Sequence, residues 1–107
     1  MKIIISICLF SVLIFYNLSA NLNPPNTASI AGFVRDERSK ETLISATVML
    51  KDTKLGTRTN KNGFYSISSI PPGSYTLVVS FLGYERFERK ITLKANEELR
   101  LDISLKE

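Results

Sequence analysis

Two clusters of turn-forming residues constrain the fold of this chain more than any other feature. Residues 60–63 read Asn-Lys-Asn-Gly and residues 71–73 read Pro-Pro-Gly, and short alternating runs lie on either side of each cluster. Asn and Gly tolerate the positive φ of a tight hairpin, whereas proline lacks the N–H that a strand ladder needs. This punctuation predicts short β-strands joined by turns.

Seven runs with the period-two alternation of β-strands follow one another along most of the chain. They cover residues 29–36, 46–52, 55–59, 64–68, 74–81, 86–93 and 97–105. No segment in this part of the chain places apolar residues at the three-and-four spacing of an amphipathic helix. We therefore expect an all-β fold, a seven-stranded antiparallel Greek-key β-sandwich of the transthyretin-like or immunoglobulin-like kind.

The alternation also predicts which side chains fill the core between the two sheets. Burying an aliphatic or aromatic side chain is worth ~1.5–3 kcal/mol before conformational entropy is subtracted, so this set should hold the fold together. One charged residue, Arg89, falls on the apolar side of its run. The expected inward-facing set is Ile30, Val34, Val48, Leu50, Tyr65, Ile67, Tyr75, Leu77, Val79, Ile91, Leu93, Leu101 and Ile103.

The first 20 residues have the layout of a secretory signal peptide. Lys2 supplies a positive start, residues 3–16 are almost wholly apolar, and residues 18–20 (Leu-Ser-Ala) offer a cleavage site. The apolar run is too short for a membrane span, which needs about 20 apolar residues. We expect residues 1–20 to be removed on export, residues 21–28 to form a disordered leader, and residues 29–107 to form one domain.

The composition argues against most catalytic and metal chemistry. The chain has no histidine, and its single cysteine, Cys8, lies within the predicted signal peptide. Imidazole-dependent bases and the usual zinc ligand sets are therefore missing from the expected domain. The acidic residues at 36–41 and 97–98 fall in charged loops where solvent would screen them. We expect no enzyme activity, no metal and no cofactor.

The charge distribution does not favour a nucleic-acid partner. The net charge is +4 at pH 7, but basic and acidic residues are mixed, as in residues 35–38 and 85–90. Nucleic-acid binding calls for a clustered basic stripe, whereas mixed charges usually mark a solvated face. We therefore expect no nucleic-acid binding.

Three residues are candidates for contact with a ligand or partner. Tyr84 follows Gly83 at the end of a run and is the aromatic residue least obliged to be buried. Asn60 and Asn62 supply oxygens in the hairpin turn, although with Asp52 they would make a weak set of calcium ligands. The alternative for the aromatic residues is that they belong to the core, or are corner tyrosines bonded to backbone.

Several segments together resemble the carboxypeptidase-like regulatory domain, a transthyretin-like (prealbumin-like) β-sandwich. The similar segments are residues 30–36 (Ile-Ala-Gly-Phe-Val-Arg-Asp), 46–50, 56–67, 72–77 and 80–84 (Ser-Phe-Leu-Gly-Tyr). The resemblance covers about residues 29–105. In one departure, Asn60 stands where the family commonly has an aspartate.

The resemblance implies a position in a larger assembly rather than catalysis. In metallocarboxypeptidases such a domain follows the zinc-binding catalytic domain. In TonB-dependent outer-membrane receptors of the Bacteroidetes type it follows the signal peptide and precedes the plug and barrel. The order here, an N-terminal apolar run and then the predicted sandwich, is similar to the second arrangement.

From the resemblance we expect a non-catalytic exported module that acts by protein–protein contact. It would work in the periplasm or at the periplasmic face of the outer membrane, associated with a TonB-dependent receptor for nutrient uptake and held at the membrane only through that partner. Two alternatives stay open. One is a secreted module that binds a carbohydrate or a peptide through Tyr84 and neighbouring aromatic residues; the other is an accessory subunit of a peptidase.

Overall fold

A computed structural model describes residues 26–107, which form two β-sheets packed face to face. The strands are β1 (Ala28–Asp36), β2 (Thr47–Leu50), β3 (Gly56–Arg58), β4 (Phe64–Ile70), β5 (Gly73–Ser80), β6 (Phe87–Leu93), β7 (Glu98–Arg100) and β8 (Ile103–Leu105). This confirms the predicted all-β sandwich. The described residues include no helix long and apolar enough to span a bilayer. The predicted signal peptide and the leader up to residue 25 lie outside them.

The connections pass repeatedly from one sheet to the other. The first sheet has the order β4–β1–β7, with β8 also pairing with β1, and the second has the order β3–β2–β5–β6. Hairpins join β2 to β3 and β5 to β6. Strands β2 and β5 are not consecutive in the chain but lie side by side. The core therefore lies between sheets whose neighbouring strands are brought together by crossovers.

The strand count and one set of pairings differ from the prediction of seven antiparallel strands. The predicted run 97–105 is split into β7 and β8, which brings the number of strands to eight. Both halves pair with β1 in parallel, whereas β1 and β4 are antiparallel. Side-chain alternation has the same period in parallel and antiparallel strands. The pattern of residues therefore predicted strands but not their direction.

The split lies at Leu101 and Asp102, where the backbone stays bonded to β1 although it leaves the strand. The Leu101 N–H donates to the carbonyl oxygen of Ala31 (2.8 Å). The N–H of Phe33 donates to the side-chain oxygen Oδ1 of Asp102 (2.9 Å). A carboxylate thus takes the place of the backbone acceptor that a continuous strand would supply.

Gly32 provides the space for this split. A Cβ atom at position 32 would lie 2.0 Å from the carbonyl oxygen of Leu101 and 2.6 Å from its carbonyl carbon. Tyr65, directly opposite Gly32 on β4, is buried and donates its hydroxyl to the same Leu101 oxygen (2.6 Å). Burial raises the pKa of Tyr65 to about 12, so the hydroxyl stays a donor over the physiological range. The missing side chain of Gly32 and the hydroxyl of Tyr65 together fix the position of the Leu101 carbonyl.

The core follows the predicted set with two exceptions. Tyr75 and Leu101 are half-buried rather than buried. The Tyr75 hydroxyl reaches the carbonyl oxygen of Pro71 (2.6 Å) at the rim of the sandwich, and Leu101 lies at the split. The remaining members are buried, and the further buried apolar residues are Ala28, Leu43, Ala46, Ile70, Val78 and Leu105.

Arg89, the charged exception on the apolar side of its run, lies opposite Leu77 on the core-facing side of β6. It is nevertheless exposed, because β6 is the last strand of the second sheet and its side chains can reach solvent around that edge. An inward-pointing charge on an edge strand opposes pairing with the edge of another sheet. Arg89 therefore helps to keep β6 from pairing with another sheet.

Replacing Gly32 by Ala should destabilise the protein strongly, because the new methyl group overlaps the Leu101 backbone. Overpacking of this kind costs about 1–3 kcal/mol, and displacement of Leu101 would also weaken its hydrogen bonds. The free energy of unfolding, measured by urea titration, should fall by about 2 kcal/mol or more. Ser66→Ala, at an exposed site on β4, is the matched control and should change it little. Equal stability of the two variants would contradict this role of Gly32.

Candidate functional site

Tyr84 lies in the loop between β5 and β6 and is half-buried rather than fully exposed. Its ring meets that of Phe81 edge-on, with ring centres 5.6 Å apart. Its hydroxyl donates to Oδ2 of Asp36 (2.7 Å). Tyr84 therefore packs at a corner of the sandwich, and ligand stacking on it stays a prediction.

Asp36, at the end of β1, is the acceptor at the centre of this corner. Its Oδ1 accepts the N–H groups of Arg38 and Ser39 (both 2.8 Å), and its Oδ2 accepts the Tyr84 hydroxyl. The Tyr84 bond first, and then the Ser39 N–H, lower the pKa of Asp36 to about 2. The same bond raises the pKa of Tyr84 to about 12. Asp36 is buried, which corrects the expectation that solvent screens it in a charged loop.

Asn60 and Asn62 lie together in the turn between β3 and β4, which joins the two sheets and is not the hairpin that the sequence predicted. The Asn60 Oδ1 accepts the N–H groups of Asn62 (2.9 Å) and Phe64 (3.1 Å), and its carbonyl oxygen accepts the N–H of Gly63 (2.9 Å). The φ of +76° at Gly63 belongs to the left-handed region that favours glycine. The Asn60 oxygen therefore shapes the turn, a task that an aspartate would also perform. Tyr84 bonds to Asp36 and takes no part in the hydrogen bonds of this turn.

Within residues 26–107, no group of three or more acidic, cysteine or histidine side chains is placed to hold a metal ion. Asp52, the carboxylate considered beside the two asparagines, lies in the turn between β2 and β3. Asn60 already uses its side-chain oxygen for two backbone N–H groups. The arrangement thus supplies hydrogen bonds that stabilise turns.

The outer face of the first sheet carries a group that the sequence reasoning did not single out. Phe33 on β1 and Phe64 on β4 are directly opposite each other, with ring centres 5.3 Å apart and ring planes at 64°. The guanidinium carbons of Arg35 and Arg100 lie 4.8 and 5.4 Å from the centre of the Phe33 ring. These four side chains are called the aromatic–arginine face below. All are at least partly exposed.

Asp102 borders the aromatic–arginine face and contacts both of its arginines. Its Oδ1 lies 3.3 Å from Nε of Arg100, and its Oδ2 lies 3.9 Å from a guanidinium nitrogen of Arg35. The N–H of Phe33, followed by the Arg100 guanidinium, lowers the pKa of this carboxyl. Sequence alternation had placed Phe33 and Arg35 on the side away from the core. Only the strand pairing shows that Phe64 and Arg100 join them.

Strand β4 forms one open edge of the first sheet. The Val34 N–H donates to the Gly63 oxygen (2.9 Å), so alternate residues from Gly63 onward direct their backbone groups at β1. Phe64 and Ser66 direct theirs to the other side. Asn60 bonds to both backbone groups of Phe64: its Oδ1 accepts the Phe64 N–H (3.1 Å), and its N–H donates to the Phe64 carbonyl oxygen (2.9 Å). Ser66 is thus the first residue of β4 whose outward-facing backbone groups are not bonded to Asn60.

The other three sheet edges are less suited to receiving a further strand. β3 has three residues. β7 and β8 also have three each, and the split at Leu101 and Asp102 interrupts them. β6 has seven residues but carries Glu88, Arg89 and Lys90, all exposed. β4 has seven residues and no charged side chain (Phe-Tyr-Ser-Ile-Ser-Ser-Ile). Short strands and charges are two of the usual protections of a sheet edge, and β4 has neither.

The sequence profile of the CarboxypepD_reg-like domain family matches residues 30–107. No match was found among curated proteins.

Three solved structures illustrate where similar sandwiches occur. A chain of the type II cohesin–X-dockerin complex of Acetivibrio cellulolyticus is 20% identical, with a TM-score of 0.62, over 73% of this chain and 56% of its own. The minor pilin GBS52 of Streptococcus agalactiae is 17% identical, with a TM-score of 0.58, over 78% and 45%. Catechol 1,2-dioxygenase of Acinetobacter is 12% identical, with a TM-score of 0.60, over 80% and 54%. This chain thus matches about half of each, and the likeness shows the fold alone.

Replacing Tyr84 by Phe should reduce the loss of stability at acid pH. The pKa of Asp36 is lowered from 3.8 to about 2. The stability that the ionised carboxylate gives to the fold is therefore complete above about pH 4 and is lost as the pH falls toward 2. Without the Tyr84 hydroxyl the pKa is lowered less, and unfolding free energies measured from pH 7 to 2 should fall less steeply in this window. Tyr75→Phe is the control, because the Tyr75 hydroxyl bonds to a carbonyl that does not titrate. A Tyr84→Phe profile parallel to that of the unmodified protein would contradict this account.

Proposed function

The chain belongs to the CarboxypepD_reg-like domain family, and we propose that it is a non-catalytic module that binds other proteins. The open edge of β4 is the observation that carries this proposal. Seven residues without a charged side chain border β1 on one side, and the described residues place no strand on the other. A strand from a partner can add to such an edge through main-chain hydrogen bonds.

The turn between β3 and β4 fixes where a partner strand would start. Asn60 occupies the outward-facing backbone groups of Phe64, so pairing would begin at Ser66. Beyond it, the pairing of β1 and β4 shifts register between Ala28 and Ile30, and Ser69 has a φ of +56°. These features limit the edge to a short stretch. A short main-chain pairing suits a contact that supplements a larger interface.

The site of action in this proposal is the periplasm, or the periplasmic face of the outer membrane, next to a TonB-dependent receptor. The signal-peptide layout of residues 1–20 supports export. The resemblance to the domain that follows the signal peptide in such receptors supports the partner. The cohesin–X-dockerin and pilin structures show that sandwiches of this shape occur in assemblies of proteins. The module would contact the membrane only through its partner.

A non-catalytic role agrees with the chemistry of the chain. It contains no histidine. The carboxylate with the most strongly lowered pKa, Asp36, is engaged by two backbone N–H groups and a tyrosine hydroxyl. A carboxylate held ionised by three donors is a poor proton acceptor near neutral pH. Its arrangement stabilises a corner of the fold.

Affinity capture of the full chain from native cell envelopes tests this proposal. We expect receptor or energy-coupling proteins to be recovered, and the captured chain to begin at Asn21. Ser66→Pro removes the outward-facing N–H of the open edge, so it should reduce recovery severalfold. Ser66→Ala keeps that N–H and is the matched control. Circular dichroism and thermal unfolding would show that both variants are folded.

The outcomes separate the possible partners. Equal recovery by the two Ser66 variants would contradict strand addition at β4, and recovery of no protein would contradict the protein-contact role altogether. Recovery of a peptidase in place of a receptor would favour the alternative of an accessory subunit.

A further inference from the structure

The aromatic–arginine face has the composition of a protein interface rather than that of a solvated sheet. Phenyl rings and guanidinium groups, which are enriched where proteins bind one another, lie together on the outer surface of the first sheet. Small residues surround them: Ala31 and Ser66 lie in the adjacent row, and Ser104 lies beside Arg35. The result is a surface on which two half-exposed rings, one on β1 and one on the edge strand β4, have small side chains beside them.

The arginines of this face have more hydrogen-bond donors than their neighbours accept. A guanidinium carries five N–H donors. Among the described residues, Asp102 is the one carboxylate in contact with either group, and its bridge to Arg35 is long, at 3.9 Å. One oxygen of Asp102 also accepts the N–H of Phe33. The side chains of Arg35 and Arg100 are 36% and 62% exposed, so further donors are directed to solvent.

The Phe33 ring holds the two guanidinium groups in place. Both groups stack on Phe33, and a cation over an aromatic ring is stabilised by about 0.5–1 kcal/mol at exposed sites. Stacking and the contact with Asp102 limit the positions that the long side chains can adopt. A partner would therefore lose less of its binding energy to ordering them.

From these contacts we infer that the aromatic–arginine face is a docking surface for an acidic segment of a partner protein. Carboxylates of that segment pair with Arg35 and Arg100, and its apolar side chains pack on Phe64, which lies beside them. Charge complementarity selects the partner, since two guanidinium groups here face one carboxylate of the chain itself. The inference rests on the proposed protein-contact function but uses a different surface from the β4 edge.

A neutral glycan fits this surface less well. Sugar rings stack on the open face of an aromatic ring, and the Phe33 ring is already approached by two guanidinium groups at 4.8 and 5.4 Å. Acidic glycans share the carboxylate chemistry with an acidic peptide. Capture of such a glycan is one outcome of the test.

Photo-crosslinking in cells that produce the full chain tests the inference. A benzoylphenylalanine replaces Ser104, which is exposed beside Arg35 and lies on the side of β1 away from β4. A second probe replaces Leu82, which is 96% exposed in the loop between β5 and β6. Mass spectrometry then identifies the attached segment. We expect the probe at position 104 to capture a protein segment rich in Asp and Glu.

Charge variants establish whether the captured segment recognises the arginines. Arg100→Glu should reduce the adduct at position 104 at least about tenfold, a change in the range of charge pairs at interfaces. The matched control is Arg86→Glu: Arg86 is 61% exposed and has one ion pair, with Glu88 at 3.1 Å. It should leave the adduct unchanged. If Arg100→Glu fails to fold, the pair Arg35→Gln and Arg100→Gln replaces it, with thermal unfolding as the check.

The outcomes distinguish this inference from the proposed function. Adducts at position 82 but none at position 104 would overturn the docking surface and leave protein contact standing. Absence of protein adducts at both positions would overturn the docking surface alone, because both probes lie away from the β4 edge, which the Ser66 variants test. An adduct at position 104 that survives the arginine variants, or one that carries only glycan, would also overturn the inference.

Discussion

The close passage of Leu101 and Asp102 over Gly32 is the constraint on which the rest of the first sheet depends. Leu101 places its carbonyl where a side chain at position 32 would stand, and the buried Tyr65 hydroxyl holds it there. Asp102 then supplies the acceptor that β1 would otherwise lack. Three polar contacts thus replace one regular stretch of strand. Their loss would leave backbone groups of β1 and Leu101 without hydrogen-bond partners, which lowers stability.

The same split shapes the surfaces that we assign to partners. It shortens β7 and β8, so that this edge of the sheet offers only short strands. The long uncharged edge is then β4, on the far side of β1. It also brings Asp102 against Arg35 and Arg100 and so helps to orient them over Phe33. A feature required for packing thereby decides where the molecule can be contacted.

Alternation and turn residues predicted the sandwich, most strand positions and most of the core, because both depend on local sequence. They did not predict the parallel pairing of β7 and β8 with β1, since side chains alternate with the same period in parallel and antiparallel strands. Asp36 was misjudged because Tyr84, 48 residues further along the chain, meets it only after the chain folds. The aromatic–arginine face was missed for a similar reason: alternation places Phe33 outward, but only strand register brings Phe64 and Arg100 to it.

Amide hydrogen exchange, followed residue by residue by NMR, tests the anchoring of the split most directly. The amides of Leu101 and Phe33 should exchange as slowly as that of Val34, which bonds to Gly63 in the ladder between β1 and β4. The amide of Ser66 faces the open edge and should exchange quickly. If Leu101 and Phe33 exchanged at the rate of Ser66, the split would not be anchored on β1, and our account of the sheet would be wrong.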